Sequence, residues 1–140
     1  MVNAMDELDS RILALLKEDS RASFTKIGRT LGLSEGAVRQ RVRRLVDSGI
    51  IRKFTIELGS ESPRAIVFVS TSPNIPSSRV AEKIAKIAHV VSVVEVAGPY
   101  DISALISGDD IRSVNEAIDA IREVEGVQTT NTLFVLRSWK

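Results

Sequence analysis

The stretch Ser23–Leu45, SFTKIGRTLGLSEGAVRQRVRRL, decides how the N-terminal half folds. Its spacing predicts two short helices joined by a tight turn. The first carries Ile27 and Leu31 as its apolar positions, and Gly32-Leu33-Ser34 makes the bend. Ser34 has the hydroxyl an N-cap needs, with Glu35 in the first turn of the second helix. There Val38, Val42 and Leu45 recur at i, i+4 and i+7, one apolar stripe turned inward. The opposite face carries Glu35, Gly36, Arg39, Gln40 and Arg43, groups that suit base edges and phosphates. The pattern is that of a helix-turn-helix. A charged face is often no more than a solvated face, so three further details matter. A glycine occupies the turn, Gly36 and Ala37 keep the front of the second helix slim, and four arginines but only two acids lie between Glu35 and Ser48.

A chain of 140 residues fits one domain, or two small ones. At 44% hydrophobic and 4% aromatic, its interior is aliphatic. The net charge of +1 is unevenly divided. Residues 1–60 hold 11 Lys/Arg against 8 Asp/Glu, and residues 61–140 hold 8 against 10. The basic half is the one with the helix-turn-helix, where an electrostatic footprint for DNA belongs. There is no cysteine, which excludes disulfides and thiolate chemistry. No apolar run approaches the roughly 18 residues of a membrane span. The first acids stand where a signal peptide would be basic, so the expected location is cytoplasmic.

Residues 6–18 (DELDSRILALLKE) read as a helix with Asp6, Glu7 and Asp9 at its positive end and Leu8, Ile12, Leu15 and Leu16 on its buried face. Gly49 is a left-handed terminator of the second helix of the motif. IIRKFTIEL (50–58) is expected to be a strand, making the unit a winged helix-turn-helix. Gly59-Ser60-Glu61-Ser62-Pro63 has loop composition. The expected domains are 1–50 for DNA binding, 51–63 as a strand or linker, and 64–140 beyond it. There AIVFVSTS (65–72) reads as a strand, PNIPSS (73–78) as a turn with a capping serine, and 79–90 as a helix with Val80, Ile84, Ile87 and Ala88 inward. Strands follow at 91–98 and 102–108, separated by Pro99-Tyr100-Asp101. Asp109 or Asp110 caps a helix with Ile111, Val114, Ile118 and Ile121 inward, and 127–138 is the last strand. The order β-α-β-β-α-β is the ferredoxin-like arrangement, and the fold class is α+β. Val67, Val69, Val94, Val96 and Leu133 cannot all face two helices, so an apolar sheet face is left to self-association.

A helix-turn-helix, a strand-like linker and a βαββαβ domain, in that order and at this length, resemble the Lrp/AsnC family of leucine-responsive regulators. The segment LDSRILALLKEDSRASFTKIGRTLGLSEGAVRQRVRRLVDSGIIRKFT is similar to that family's DNA-binding domain almost end to end. The C-terminal part resembles its effector-binding and oligomerisation (RAM-type) domain, where Gly98-Pro99-Tyr100-Asp101 matches the ligand loop. Thr130-Asn131-Thr132 falls where the last strand carries hydroxyls. The resemblance implies a transcription regulator that forms dimers, often octamers, tuned by a small molecule, usually an amino acid, with no other cofactor. It implies double-stranded DNA as partner, with Ser34, Glu35, Gly36, Arg39, Gln40, Arg43 and Arg44 as candidate DNA-binding residues. Arg41 and Arg44 flank Val42 and Leu45, so either could instead pair structurally. Gly98, Tyr100, Asp101, Thr130 and Thr132 are the candidate effector-binding residues, the threonines from a neighbouring subunit. Asp119 or Glu123 on the last helix would favour a basic side chain on the ligand, or is simply solvated.

An enzyme finds little support. His89, the one histidine, lies at a helix end, Asp109-Asp110 is explained by capping, and no metal spacing, nucleophile motif or phosphate loop occurs. The remaining alternative is an effector-independent, chromatin-like DNA-binding protein.

Overall fold

The computed structural model describes residues 5–59 and 62–139, which form two compact units divided after Leu58. Ser60 and Glu61, part of the expected linker, lie outside the described residues. The N-terminal unit is three helices: α1 (Glu7–Glu18), α2 (Phe24–Leu31) and α3 (Glu35–Asp47). Each begins at a side-chain cap. Asp6 and Asp9 form a reciprocal capping box on α1, Ser23 accepts from Lys26 N, and Ser34 accepts from Ala37 N. Gly32 closes α2 in the left-handed region at φ +69°, as the turn requires.

The three helices bury one small aliphatic core. Ile12 and Leu16 of α1, Ile27 of α2, and Val38 and Val42 of α3 pack together, with Leu15, Phe24, Leu31, Leu33 and Ile51 at its edge. Close approach of α2 to the turn depends on Gly28. Its carbonyl accepts from Leu33 N at 2.8 Å, and a Cβ built there would lie 2.4 Å from the Leu33 carbonyl oxygen. After α3, Gly49 takes φ +75° and the chain leaves through Ile51, whose N–H donates to the Leu45 carbonyl. The strand expected at 50–58 does not form, and with it the wing. Residues 52–59 are neither helix nor strand, because β-branched residues alone make no ladder without an adjacent edge.

The C-terminal unit is β1 (Arg64–Thr71), α4 (Ser77–Ile84), β2 (Val90–Glu95), β3 (Ile102–Ser107), α5 (Ile111–Arg122) and β4 (Val127–Phe134). The antiparallel sheet has the order β2-β3-β1-β4, with the two helices on one face. That face is the core. Ala65, Val67 and Val69 alternate along β1, Ile102, Ala104 and Ile106 along β3, and Val80, Ile84, Val114, Ala117, Ile118 and Ile121 meet them from the helices.

Several expectations need correction. Val67 and Val69 are fully buried under the helices, so they are not part of the open face; Val94 and Leu133 are. In β1 both faces are apolar, and alternation by itself does not say which is covered. Ile111 is exposed, and Ala117 takes the inward place in α5. The first helix of the domain ends at Ile84, five residues short of His89, which turns the chain at φ +69°, and Ala88 is exposed. Its N-cap position is Pro76 with no side-chain cap, so neither serine caps it. The last strand stops at Phe134, four residues early. Asp110, not Asp109, caps α5, in a capping box with Ser113.

Gly28→Ala is expected to destabilise the three-helix unit by about 1–3 kcal/mol, the usual cost of forcing atoms into a packed site. Thermal unfolding followed by circular dichroism checks it. An unchanged midpoint would mean that the turn gives way without strain.

Candidate functional site

α3 has two sides with different work. On the inner side, Arg41 donates to Asp6 Oδ2 at 2.6 Å and to Asp9 Oδ1 at 2.8 Å, tying α3 to the first turn of α1. Asp9 is buried, and its charge is met by that guanidinium and, at 3.7 Å, by Arg44. Arg41 is thus a structural arginine, one of the two alternatives the sequence leaves open. Arg44 leans towards α1 as well, half exposed, away from the other candidates.

On the outer side, Gly36, Arg39, Gln40 and Arg43 recur at i, i+3, i+4 and i+7, and all four are exposed. A Cβ at Gly36 would meet nothing within 4 Å. The Gln40 and Arg43 side chains have no hydrogen-bond partner among the described residues. Ser34 is occupied by its cap. Glu35 is ion-paired with Arg39 and accepts from Thr25 Oγ1 at 2.9 Å, and hydrogen bonds from these two hold its carboxyl below the ordinary value. The Arg39 guanidinium lies 5.4 Å from the centre of the Phe24 ring. Phe24 and Thr25 are missed in the sequence because they open the first helix of the motif, ten and more residues before the Glu35 and Arg39 side chains that they meet.

In the C-terminal unit the candidate effector residues do not gather in one place. Tyr100 is stacked on Phe68, with ring centres 5.2 Å apart, and its hydroxyl accepts from Asn131 Nδ2 at 3.0 Å. Phe68 and Asn131 are register partners on the face without helices. Asp101 Oδ2 accepts from Thr71 N at 2.7 Å and from Thr71 Oγ1 at 3.0 Å, so the carboxylate also fixes the end of β1. Gly98 stands exposed at φ +148°. Thr130 and Thr132 pair with Val69 and Val67 and therefore point to the helix-covered side. Arg122 Nε donates to Thr130 Oγ1 at 3.4 Å, and Thr132 Oγ1 is buried with no partner among the described residues. Within one chain the loop and the threonines lie on opposite faces of the sheet. Asp119 is paired with Arg122 at 3.1 Å, and Glu123 is exposed at the end of α5. Among the described residues, no cluster of potential metal ligands occurs and no helix is long and apolar enough to cross a membrane.

The fold and the arginine-bearing face define a helix-turn-helix unit followed by an α+β unit with a four-stranded antiparallel sheet. Residues 5–46 match the family model for the AsnC-type helix-turn-helix domain, and residues 64–140 match that for the Lrp/AsnC ligand binding domain. The chain is 44% identical to the HTH-type transcriptional regulator LysM of Saccharolobus solfataricus, covering 96% of both chains. It is 33% identical to the regulator FL11 of Pyrococcus horikoshii, covering 97% of this chain and 92% of that one. The crystal structure of the Mycobacterium tuberculosis leucine response regulatory protein LrpA shares the fold, with a TM-score of 0.85, 24% identity, and 96% and 94% of the two chains covered. The chain belongs to the Lrp/AsnC family of transcriptional regulators.

The Arg41 contact generates a pH prediction. Hydrogen bonds from Arg41 and from Asp9 N hold the Asp6 carboxyl below its ordinary value. A depressed folded pKa contributes stability above the unfolded value, and that contribution is lost as pH falls through the folded one. Asp6→Asn is expected to lower the urea midpoint of the three-helix unit at neutral pH and to flatten its decline below about pH 4. Parallel profiles for the two proteins would show that the Arg41 contact contributes nothing.

Proposed function

We propose that this regulator reads a specific DNA sequence with the outer face of α3, acts as a dimer or a higher oligomer such as an octamer, and is tuned by a small molecule, an amino acid. The observation that carries the DNA-reading part is the open front of α3 at Gly36, flanked by exposed Arg39, Gln40 and Arg43. Gly36 is the second residue of α3, in its first turn, where alanine is the better helix former. No neighbour among the described residues requires a glycine there, whereas close approach to a groove floor favours one. Arg39 suits guanine, Gln40 has the donor and acceptor that adenine presents in reverse, and Arg43 suits phosphate.

Self-association is supported by apolar surface that nothing covers among the described residues. Val94 and Leu133 are 54% and 51% exposed on the open sheet face, and Phe54, Ile56 and Leu58 are exposed at alternating positions of the linker. Two-fold pairing would set two copies of α3 about 34 Å apart along a pseudo-palindromic site. An amino-acid effector is supported by the match to a ligand-binding domain and by the exposed Gly98 turn beside Tyr100 and Asp101. Joining that loop to Thr130 and Thr132 needs a neighbouring subunit. Isothermal titration against a panel of amino acids tests this part: heat with at least one supports it, and silence with all leaves an oligomerisation module.

Gly36→Ala separates fold from function. It is expected to leave the melting temperature unchanged or raised, yet weaken binding to a duplex enriched from a random pool by about tenfold, the scale of one lost base-pair contact. Arg39→Ala should cost about 1–3 kcal/mol on that duplex and relax its specificity, while Arg43→Ala should weaken all duplexes alike and lower the salt slope by about one. Unchanged affinity in all three variants would remove α3 from the interface.

A further inference from the structure

Four side chains converge at one end of the outer face of α3. Arg39 Nη2 donates to Glu35 Oε1 at 2.5 Å, Thr25 Oγ1 donates to the other oxygen, Oε2, at 2.9 Å, and the Phe24 ring lies beneath the guanidinium at 5.4 Å. The set bridges the first turns of α2 and α3. As a source of stability it amounts to little, because the Arg39 and Glu35 side chains are 64% and 50% exposed and water screens them.

Its effect is on the arginine's freedom. A long side chain loses rotamer entropy when it docks on a base edge, and prior ordering reduces that loss. Phe24 and Glu35 fix two sides of the guanidinium, while Glu35 occupies Nη2 and leaves the other donors for a contact in the fork geometry arginine favours. The carboxylate also repels phosphates and weakens the pull of Arg39 on them, a penalty laid on non-specific contact. Thr25 keeps the carboxylate in place from the neighbouring helix.

We propose that Phe24, Thr25 and Glu35 form a brace that sets Arg39 for a base edge and against the phosphate backbone. Glu35 is then a specificity-determining positioning residue that reads no base itself. This rests on α3 being the recognition helix.

The test uses the full chain, a duplex enriched by it from a random-sequence pool, and poly(dI-dC) as the non-specific competitor, at one fixed salt concentration. Glu35→Gln is expected to bind poly(dI-dC) about threefold more tightly, since one acid leaves the surface facing the polyanion. The ratio of specific to non-specific affinity should fall about tenfold. Phe24→Leu keeps an apolar side chain at the core edge but removes the ring; it should lower the same ratio, while Phe24→Tyr preserves it. A ratio unchanged in Glu35→Gln, or an equal loss of affinity for both DNAs, overturns the brace whatever the Phe24 variants do. If the wild-type chain enriches no sequence at all, the recognition-helix reading itself fails, a separate result.

Discussion

One arginine held by two carboxylates sets the orientation on which the exposed outer face of α3 depends. Val38, Val42 and Leu45 make a stripe of similar aliphatic side chains, and such a stripe tolerates some rotation of a helix about its own axis. Arg41, gripped by Asp6 and Asp9 at 2.6 and 2.8 Å, does not. At 3.6 residues per turn, turning position 41 towards α1 turns positions 36, 39 and 43 away from it. Asp6 serves twice, as N-cap of α1 and as acceptor for Arg41. The helix start and the roll of α3 are therefore fixed by the same residue.

The charges of the N-terminal unit are more committed than its composition implies. Arg41 is neutralised by acids, Arg44 leans on Asp9, and Arg39 is paired with Glu35. Of the four arginines on α3, Arg43 is left without a partner among the described residues. On the reading proposed above, such a face would rely on placed contacts more than on a strong positive field. The C-terminal unit shows a comparable division. One sheet face is closed by α4 and α5, and the other keeps exposed valine and leucine together with the Phe68, Tyr100 and Asn131 group.

Much of this was legible in the sequence because the signals are local. Ser34, Gly32 and the i, i+4, i+7 stripe of α3 lie within fourteen residues, and Gly49 and Asp110 mark helix boundaries by backbone and capping chemistry alone. What was not legible depends on distant partners. The buried Asp9 reads as one more acid at a helix start until Arg41, thirty-two residues on, is seen beside it. Gly28 gives no sign that the Leu33 carbonyl lies against it. The two apolar faces of β1 cannot be told apart without knowing which side α4 and α5 cover. The strand expected at 50–58 failed for the same reason, since a strand is defined by its neighbour. Thr130 and Thr132 were grouped with the Gly98 loop by resemblance, and strand register puts them on the other side of the sheet.

On the proposed reading, the outer face of α3 enters the groove while the Arg41 side stays closed on α1. Backbone amide hydrogen exchange of the full chain, with and without its enriched duplex, tests this most directly. Added protection should appear at the start of α3, over residues 34–40 and the turn before it, with the helices of the C-terminal unit little changed. Protection confined to residues outside 23–48, on a duplex that the chain demonstrably binds, would contradict it.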